Sequence, residues 1–266
     1  MLTLRHFSTL ADYDACVALQ DETWGHGFTE RVPGAILRVA QKIGGVAAGA
    51  FNHDQRLLGF VFGMTGVQDS TLVHWSDMLA VRPEARGTGL ARQLKHFQRD
   101  ALLPLGVHLM IWTADPLVAR NAHFNINHLG ALPAAYVPNM YGAQTGSVLH
   151  GAMPTDRLIY HWGLPASTTW QKQDGLPHSG DEQLPDAIVI ADNGAPIAVD
   201  TGGAQVVRIL VPHDLTALQA ARADVALAWR MTVRSVLGSR LERGDRVIRF
   251  VRGHATTQPY YVVTST

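Results

Sequence analysis

Several features are scarce in this 266-residue chain, and each scarcity excludes a class of protein. Cys16 is the single cysteine, so the chain cannot form an internal disulfide, which fits a reducing compartment. No apolar run approaches the roughly 20 residues that a bilayer span needs. The charged start MLTLRHFSTLADYDAC lacks the apolar centre of a signal peptide. We therefore expect a cytoplasmic protein that does not enter a membrane.

Net charge is also absent, because 22 basic residues balance 22 acidic ones. Such a chain has no overall field with which to attract nucleic acid. The 13 histidines include no His-Glu-x-x-His pair and no Cys/His spacing, and no Gly-x-Ser-x-Gly elbow is present. Nucleic-acid binding, metal chemistry and serine-hydrolase chemistry are therefore not expected.

The pattern of apolar residues divides the chain into two parts. Residues 1–164 alternate strand-like and helix-like segments, which is typical of a mixed α/β domain. Residues 165–185 are polar and rich in Pro, Gly, Ser and Gln, as in a linker or a long surface loop. Residues 186–266 contain a hairpin at Asn193-Gly194 and one long helix from about Leu215 to Arg243, capped by Asp214. We expect a smaller α+β domain there.

The segment most informative about chemistry is LAVRPEARGTGLARQLK, residues 79–95. It predicts a strand, a tight loop with Gly87 and Gly89, and an amphipathic helix whose apolar stripe is Leu90, Leu94, Phe97 and Ala101. Glycines let backbone N–H groups converge without obstruction by Cβ atoms. Together with the positive end of the helix, those groups would form a cradle for phosphates.

Three interpretations compete for this loop. The first is a helix start that happens to contain two glycines. The second is a dinucleotide fingerprint, but its third glycine is replaced by Arg92, and charged residues separate the strand from the glycines. The third is the acyl-CoA pyrophosphate loop, Arg/Gln-x-x-Gly-x-Gly/Ala, whose fixed positions are all matched from Arg86 to Ala91. The pattern favours the third.

The ordered segments of the chain resemble the GNAT superfamily of acyltransferases. LAVRPEARGTGLARQL is similar to their fourth strand, pyrophosphate loop and third helix, and ADPLVARNAHFNINHLGA to the fifth strand leading into the fourth helix. QLKHFQRDAL and YVPNMYG extend the series, which covers residues 2 to about 164 well and the rest more loosely. The resemblance implies a splayed mixed sheet flanked by helices, and direct transfer of an acyl group from CoA to an amine.

The resemblance also implies which residues bind the cosubstrate. The pyrophosphate would lie on the backbone of Arg86, Gly87, Thr88, Gly89, Leu90 and Ala91, and the pantetheine arm along the strand edge at Leu79, Ala80 and Val81. Asn121 would hydrogen-bond pantetheine or, alternatively, cap its helix. Acetyl-CoA is the expected donor, with succinyl-CoA as the alternative. A small-molecule primary amine, such as an amino acid, is the expected acceptor, and a homodimer is the candidate assembly.

The general base is a choice between two residues of one predicted strand. His74 and Ser76 share one face by strand alternation, and Asp77 lies on the other. His74 is the natural base if the cleft lies on its face, because its reference pKa is near neutrality. Asp77, with a raised pKa, is favoured if the cleft lies opposite.

The general acid is open as well, because Ile126 stands where the family's helix-four tyrosine would fall. Tyr141, ahead of Tyr136, is the nearest substitute, or the thiolate leaves without a protein acid. A catalytically lapsed CoA-binding or interaction module is therefore the alternative function. Arg230 and Arg234, four residues apart, would form an anion clamp for a succinyl carboxylate unless that helix face is simply solvated.

Overall fold

The computed structural model describes residues 2–142, 145–147, 153–164, 175–254 and 257–266. In chain order its first elements are β1 Thr3–His6, α1 Leu10–Trp24, α2 Gly34–Lys42, β2 Val46–Phe51, β3 Leu57–Gln68, β4 Thr71–Val81, α3 Leu90–Leu102, β5 Leu109–Ala114, α4 Ala119–Ala122 with π-helical turns His123–Leu129, β6 Leu132–Val137 and β7 Arg157–Gly163. The later elements are β8 Ile188–Ile190, β9 Pro196–Ala198, β10 Val206–Leu210, α5 Leu215–Ala221, α6 Ala223–Val233 with π-helical turns Arg234–Gly238, α7 Ser239–Glu242, β11 Arg246–Val251 and β12 Tyr260–Thr264. Within the described ranges, no helix is both long and apolar enough to cross a bilayer.

Seven strands form one mixed sheet in the order β1-β2-β3-β4-β5-β7-β6. The strands β1 to β4 are antiparallel neighbours, whereas β4 and β5 run parallel. The later strands form a three-stranded sheet, β10-β12-β11, and the hairpin β8-β9. This mixed sheet with flanking helices confirms the predicted fold class.

The chain divides into two compact units. The first comprises residues 1–112, 144–151 and 162–169, and the second residues 113–143, 152–161 and 170–266. This division does not coincide with the one that composition predicts. The predicted domains 1–164 and 186–266 stay a prediction, as does the linker 165–185, of which residues 165–174 lie outside the described residues.

Helices α1 and α2 cover one face of the sheet in the first unit. Their buried side chains join those of β2, β3 and β4 in one apolar core, which includes Tyr13, Leu19, Leu37, Phe60, Phe62, Met78 and Ala80. Cys16 lies fully inside this core, where burial raises the pKa of its thiol to about 12. Such a thiol is inert, as the sequence predicts.

The predicted long helix from Leu215 to Arg243 is wrong at one position. Asp214 caps α5 as predicted, since its carboxylate accepts a hydrogen bond from the Ala217 amide at 3.0 Å. The backbone then leaves the helical region at Arg222, with φ −146° and ψ 76°. The Arg222 guanidinium holds the carboxylate of Asp224 at 2.8 and 3.0 Å. Asp224 thereby stands in the first turn of α6, where a negative charge is favoured.

Helix α1 is anchored by a buried carboxylate in its first turn. Thr9 and Asp12 form a capping box, and the Asp12 carboxylate also accepts from the Ser8 amide at 2.8 Å. Arg5 donates two hydrogen bonds to the same carboxylate, at 2.7 and 2.9 Å. These bonds, above all those from Arg5, hold the pKa of Asp12 well below its ordinary value. The start of α1 is therefore tied to β1.

We expect Asp12→Asn to lower the free energy of unfolding at pH 7 by about 1–3 kcal/mol, the range for charged hydrogen bonds. Because the pKa is depressed in the folded state, this stabilisation is present above the unfolded-state pKa near 4 and is lost as the pH falls below it. Urea unfolding at pH 7 and pH 3 measures both effects. Asp14→Asn changes an exposed carboxylate of the same helix and should cost less than about 0.5 kcal/mol. Equal losses in both variants would contradict the anchor.

Candidate active site

The loop between β4 and α3 is built around two glycines in the left-handed region. Gly87 has φ +78° and Gly89 φ +83°, values that strain any L-residue with a side chain. An added Cβ at either position would meet no atom within 4 Å, so conformation rather than crowding requires glycine there. Gly89 holds the N-cap position, where no side chain caps α3, and the first turn carries no acidic residue. The positive end of the helix is thus left open to an anion.

Hydrogen bonds from two side chains to backbone carbonyls fix the conformation of this loop. The Arg86 guanidinium donates to the Val81 carbonyl at 3.1 Å, and the Thr88 hydroxyl donates to the Ala85 carbonyl at 2.8 Å. Leu90 is buried and anchors the start of α3. The loop predicted for the pyrophosphate is therefore a fixed turn, with its glycines exposed.

The edge of β4 next to the loop is not covered by β5. The parallel pairing joins Val73–Trp75 to Leu109–Ile111, and no further β4–β5 pair occurs among the described residues. β4 continues to Val81, so Leu79, Ala80 and Val81 lie where the two strands have separated. Backbone groups in such a gap require another hydrogen-bonding partner.

A β-bulge interrupts β4 close to this gap. Phe62 pairs with Met78 and Met64 with Trp75, so Gly63 alone lies opposite both intervening residues of β4, Ser76 and Asp77. Gly63 must lack a side chain, since a Cβ there would collide with the His74 ring and the Trp75 carbonyl.

The bulge changes which face of β4 each side chain occupies. His74 and Ser76 face α3, where both bond to Gln98. Past the bulge, Met78 and Ala80 face the opposite way and lie in the core beneath α1 and α2. The prediction that His74 and Ser76 share one face is confirmed.

His74 is fully buried, and its hydrogen bonds fix its protons. The Thr65 hydroxyl donates to the Gly44 carbonyl at 2.6 Å, so it accepts from His74 Nδ1 at 3.0 Å. His74 Nε2 then accepts from the Gln98 amide at 2.9 Å. Burial, with the positive charge of Lys95, lowers the pKa of His74 to about 3. His74 has no lone pair left for a substrate proton, so we do not retain it as the candidate base.

Asp77 stands on the solvent-accessible side of the bulge. Its carboxylate accepts a hydrogen bond from Trp75 Nε1 at 3.3 Å. The surrounding protein removes part of the hydration of the Asp77 carboxylate, and this raises its pKa. The hydrogen bond from Trp75 lowers the pKa, and the negative charge of Glu30 raises it further. A carboxylate with a raised pKa meets the condition set for Asp77 as a base. The sequence does not indicate the effects of Trp75 and Glu30 on the pKa of Asp77, because both effects depend on the fold.

The other predicted site residues lie in the second unit. Asn121 is an exposed residue of α4, whose N-cap position is Val118, so the capping alternative for Asn121 is wrong. The Tyr141 hydroxyl lies 2.9 Å from that of Thr113 at the end of β5. Ile126 is buried.

Tyr136 is committed to an ionic cluster of the second unit. Its hydroxyl donates to Asp156 at 2.6 Å, and burial followed by this contact raises its pKa strongly. Of the two tyrosines, Tyr141 is therefore the better candidate for a proton donor.

The predicted anion clamp of Arg230 and Arg234 is wrong. Arg230 binds Asp115 through two hydrogen bonds at 2.8 and 2.5 Å, and Arg234 binds Asp156 at 2.8 and 2.6 Å. Each guanidinium thus has a carboxylate of the chain as its partner. In the described part of the chain, no group of three or more His, Cys, Asp or Glu side chains is placed to hold a metal ion.

Comparison with known proteins supports the fold. No protein-family model and no curated protein matches the sequence. Among solved structures, an N-acetyltransferase from Staphylococcus aureus Mu50 matches with a TM-score of 0.50 and 15% identity, over 62% of this chain and 99% of that one. A putative acetyltransferase from Salmonella typhimurium with its cofactor acetyl-CoA matches with a TM-score of 0.48 and 18% identity, over 67% and 99%. The first of these matches shows that the chain shares the fold of an N-acetyltransferase, which agrees with the fold that the resemblance implies.

We expect the His74 ring to stay neutral, with its proton on Nδ1, from pH 8 to about pH 4. The reason is that its pKa is lowered to about 3 and both nitrogens are already bonded. Nitrogen-15 NMR of the imidazole ring reports both the tautomer and the titration. In urea the same ring should titrate near the ordinary value of about 6.5, which serves as the internal control. A folded-state midpoint above pH 6 would contradict the hydrogen-bond assignment.

Proposed function

We propose that this protein is an acyl-CoA-dependent N-acyltransferase that moves an acetyl group from CoA to the primary amine of a small molecule. The observation that carries the proposal is the uncapped glycine turn at the start of α3, which directly follows a strand edge with no β5 partner. Succinyl-CoA is the alternative donor.

The cosubstrate would bind through backbone groups. A pyrophosphate carries negative charge, and free N–H groups at a helix N-terminus, with the helix dipole, bind such charge. The space around Gly87 and Gly89 is open enough to admit it. Pantetheine contains two amides, which would pair with the edge of β4 at Leu79, Ala80 and Val81. Asn121 would contribute a further hydrogen bond.

Asp77 would act as the general base. The amine reaches the site as an ammonium and must lose a proton before it attacks the thioester carbonyl. The first proton passes to Asp77, and the free amine attacks to form the new C–N bond. The C–S bond then breaks to release the CoA thiolate, and the second proton on the nitrogen passes to solvent. That thiolate takes a proton from Tyr141 or leaves without a protein acid. No covalent enzyme intermediate is required.

Amine-dependent thiol release tests the proposed function. Purified protein is incubated with acetyl-CoA or succinyl-CoA and a panel of amino acids and polyamines, and free CoA is followed with a thiol reagent. Release that depends on one amine supports the transferase. Tight CoA binding without release across the panel would support the alternative, a lapsed CoA-binding module, and no CoA binding would refute both.

We expect Gly89→Ala to weaken CoA binding at least about tenfold, because the left-handed turn is strained and a methyl group enters the phosphate space. Gly106→Ala is the matched control. Gly106 has φ +77° and equally open space, but it lies beyond the far end of α3. Calorimetric titration with CoA measures both variants. A similar loss of affinity in both would mean that strain alone weakens binding.

We expect Asp77→Asn to reduce kcat by about 10²- to 10⁴-fold with little change in the KM for acyl-CoA, the range for a lost general base. Since the pKa of Asp77 is raised, wild-type kcat/KM should fall as the pH drops through that pKa, because the protonated carboxyl cannot accept a proton. Asp100→Asn changes an exposed carboxylate on α3 and should leave both parameters unchanged. Retained activity in Asp77→Asn would remove Asp77 from the mechanism.

A further inference from the structure

A continuous series of hydrogen bonds, buried except at its Thr65 end, runs from α3 through β4 to β3. Lys95 Nζ donates to Ser76 Oγ at 2.7 Å, and Ser76 Oγ donates to Gln98 Oε1 at 2.9 Å. Gln98 Nε2 donates to His74, which donates to Thr65. The proton directions are consistent from end to end, because each hydroxyl and the Gln98 side chain both donates and accepts once.

Lys95 is an unusual member of this chain. It is 2% exposed, and no described Asp or Glu forms a salt bridge with it. Its Nζ lies 3.8 Å from the centre of the Trp112 ring and 3.6 Å from Met110 Sδ. An apolar side chain of similar length would suit these surroundings at a lower desolvation cost. Stability alone therefore does not account for a lysine at this position.

The contact that Lys95 makes offers a different account. Ser76 is one of the two β4 residues of the bulge, and Asp77 is the other. Bulges bend a strand and re-aim its side chains, and they leave the extra residue outside the regular ladder of hydrogen bonds. Lys95 and Gln98 both bind the Ser76 hydroxyl, so α3 holds one side of the bulge while Asp77 emerges on the other.

We propose that Lys95, acting through Ser76 and Gln98, is a positioning residue that fixes the β4 bulge so that the Asp77 carboxylate is held toward the reacting amine. This inference rests on the proposed function, since Asp77 is the base of that reaction. Lys95 itself touches neither substrate nor cosubstrate. It acts on the rate of the chemical step and leaves the CoA loop unaffected.

A double-mutant cycle separates positioning from stability. Lys95→Met should leave the melting temperature unchanged or raised, lower kcat about 10- to 100-fold and leave the KM for acyl-CoA within about twofold. Ser76→Ala should lower the melting temperature, because the buried amine loses its acceptor. The double variant Ser76→Ala/Lys95→Met should regain part of the lost melting temperature, since only the Gln98 oxygen is then left without its donor, and keep the low kcat. Wild-type kcat in Lys95→Met, or kcat that recovers with stability in the double variant, would overturn the proposal.

A second readout does not depend on activity. Carbon-13 NMR of the aspartate carboxyls follows the titration of Asp77 in wild type and in Lys95→Met. Release of the bulge lets the carboxylate swing into water, so its pKa should fall toward the ordinary value. Burial lowers the pKa of Lys95 itself, and loss of any positive charge that it carries would shift the pKa of Asp77 in the opposite direction, upward. An unchanged or higher midpoint in Lys95→Met would therefore overturn the positioning role.

Lys42→Met supplies the matched control, because it makes the same chemical change at an exposed lysine on α2. It should alter neither kcat nor the Asp77 titration. If wild type itself releases no thiol with any amine, the proposed function fails, and the carboxyl titration still decides whether Lys95 positions Asp77.

Discussion

The extra residue that β4 carries opposite Gly63 is the constraint on which the candidate active site depends. Without it, strand alternation would place His74 and Met78, which lie two residues before and after Ser76, on the same face of the sheet. With it, His74 faces α3 while Met78 enters the core beneath α1 and α2. Asp77 lies at the bulge, where the alternation of faces reverses, and its side chain is exposed to solvent. One inserted residue thus sets both the packing of the strand and the exposure of its one carboxylate.

The polar chain beside the bulge is costly to bury. Four of its members are at most 5% exposed, namely His74, Ser76, Lys95 and Gln98. A buried polar group is tolerated when its hydrogen bonds are made, and the chain satisfies each member in turn. The same completeness removes His74 from acid–base work, since a protonated ring would face the donating Gln98 amide and would require Gln98 to flip and give up its bond from Ser76. Because every hydrogen bond is made, this set of polar side chains is rigid and takes no part in proton transfer.

The sequence predicts the fold better than it predicts the catalytic side of the site. The alternation of strand-like and helix-like segments indicates the mixed fold class, apolar periodicity locates α3, and the Arg86 to Ala91 pattern locates the loop. The predicted stripe of α3 includes Phe97 and Ala101, whereas the buried face includes Lys95 and Gln98. Hydrophobicity cannot indicate a buried lysine, because its burial depends on Ser76 and Trp112. Likewise, nothing in a run of helix-forming residues signals the break at Arg222.

This difference follows from how each half of the site works. The loop acts through backbone N–H groups, and its requirement on sequence is local, namely glycine where φ is positive. The same residues in the same order therefore give the same turn in any setting. Proton transfer acts through a side chain whose pKa and direction depend on neighbours from several elements, here Trp75, Glu30 and the bulge. A sequence alone can thus indicate a binding loop, whereas the choice between His74 and Asp77 requires the register of β3 and β4.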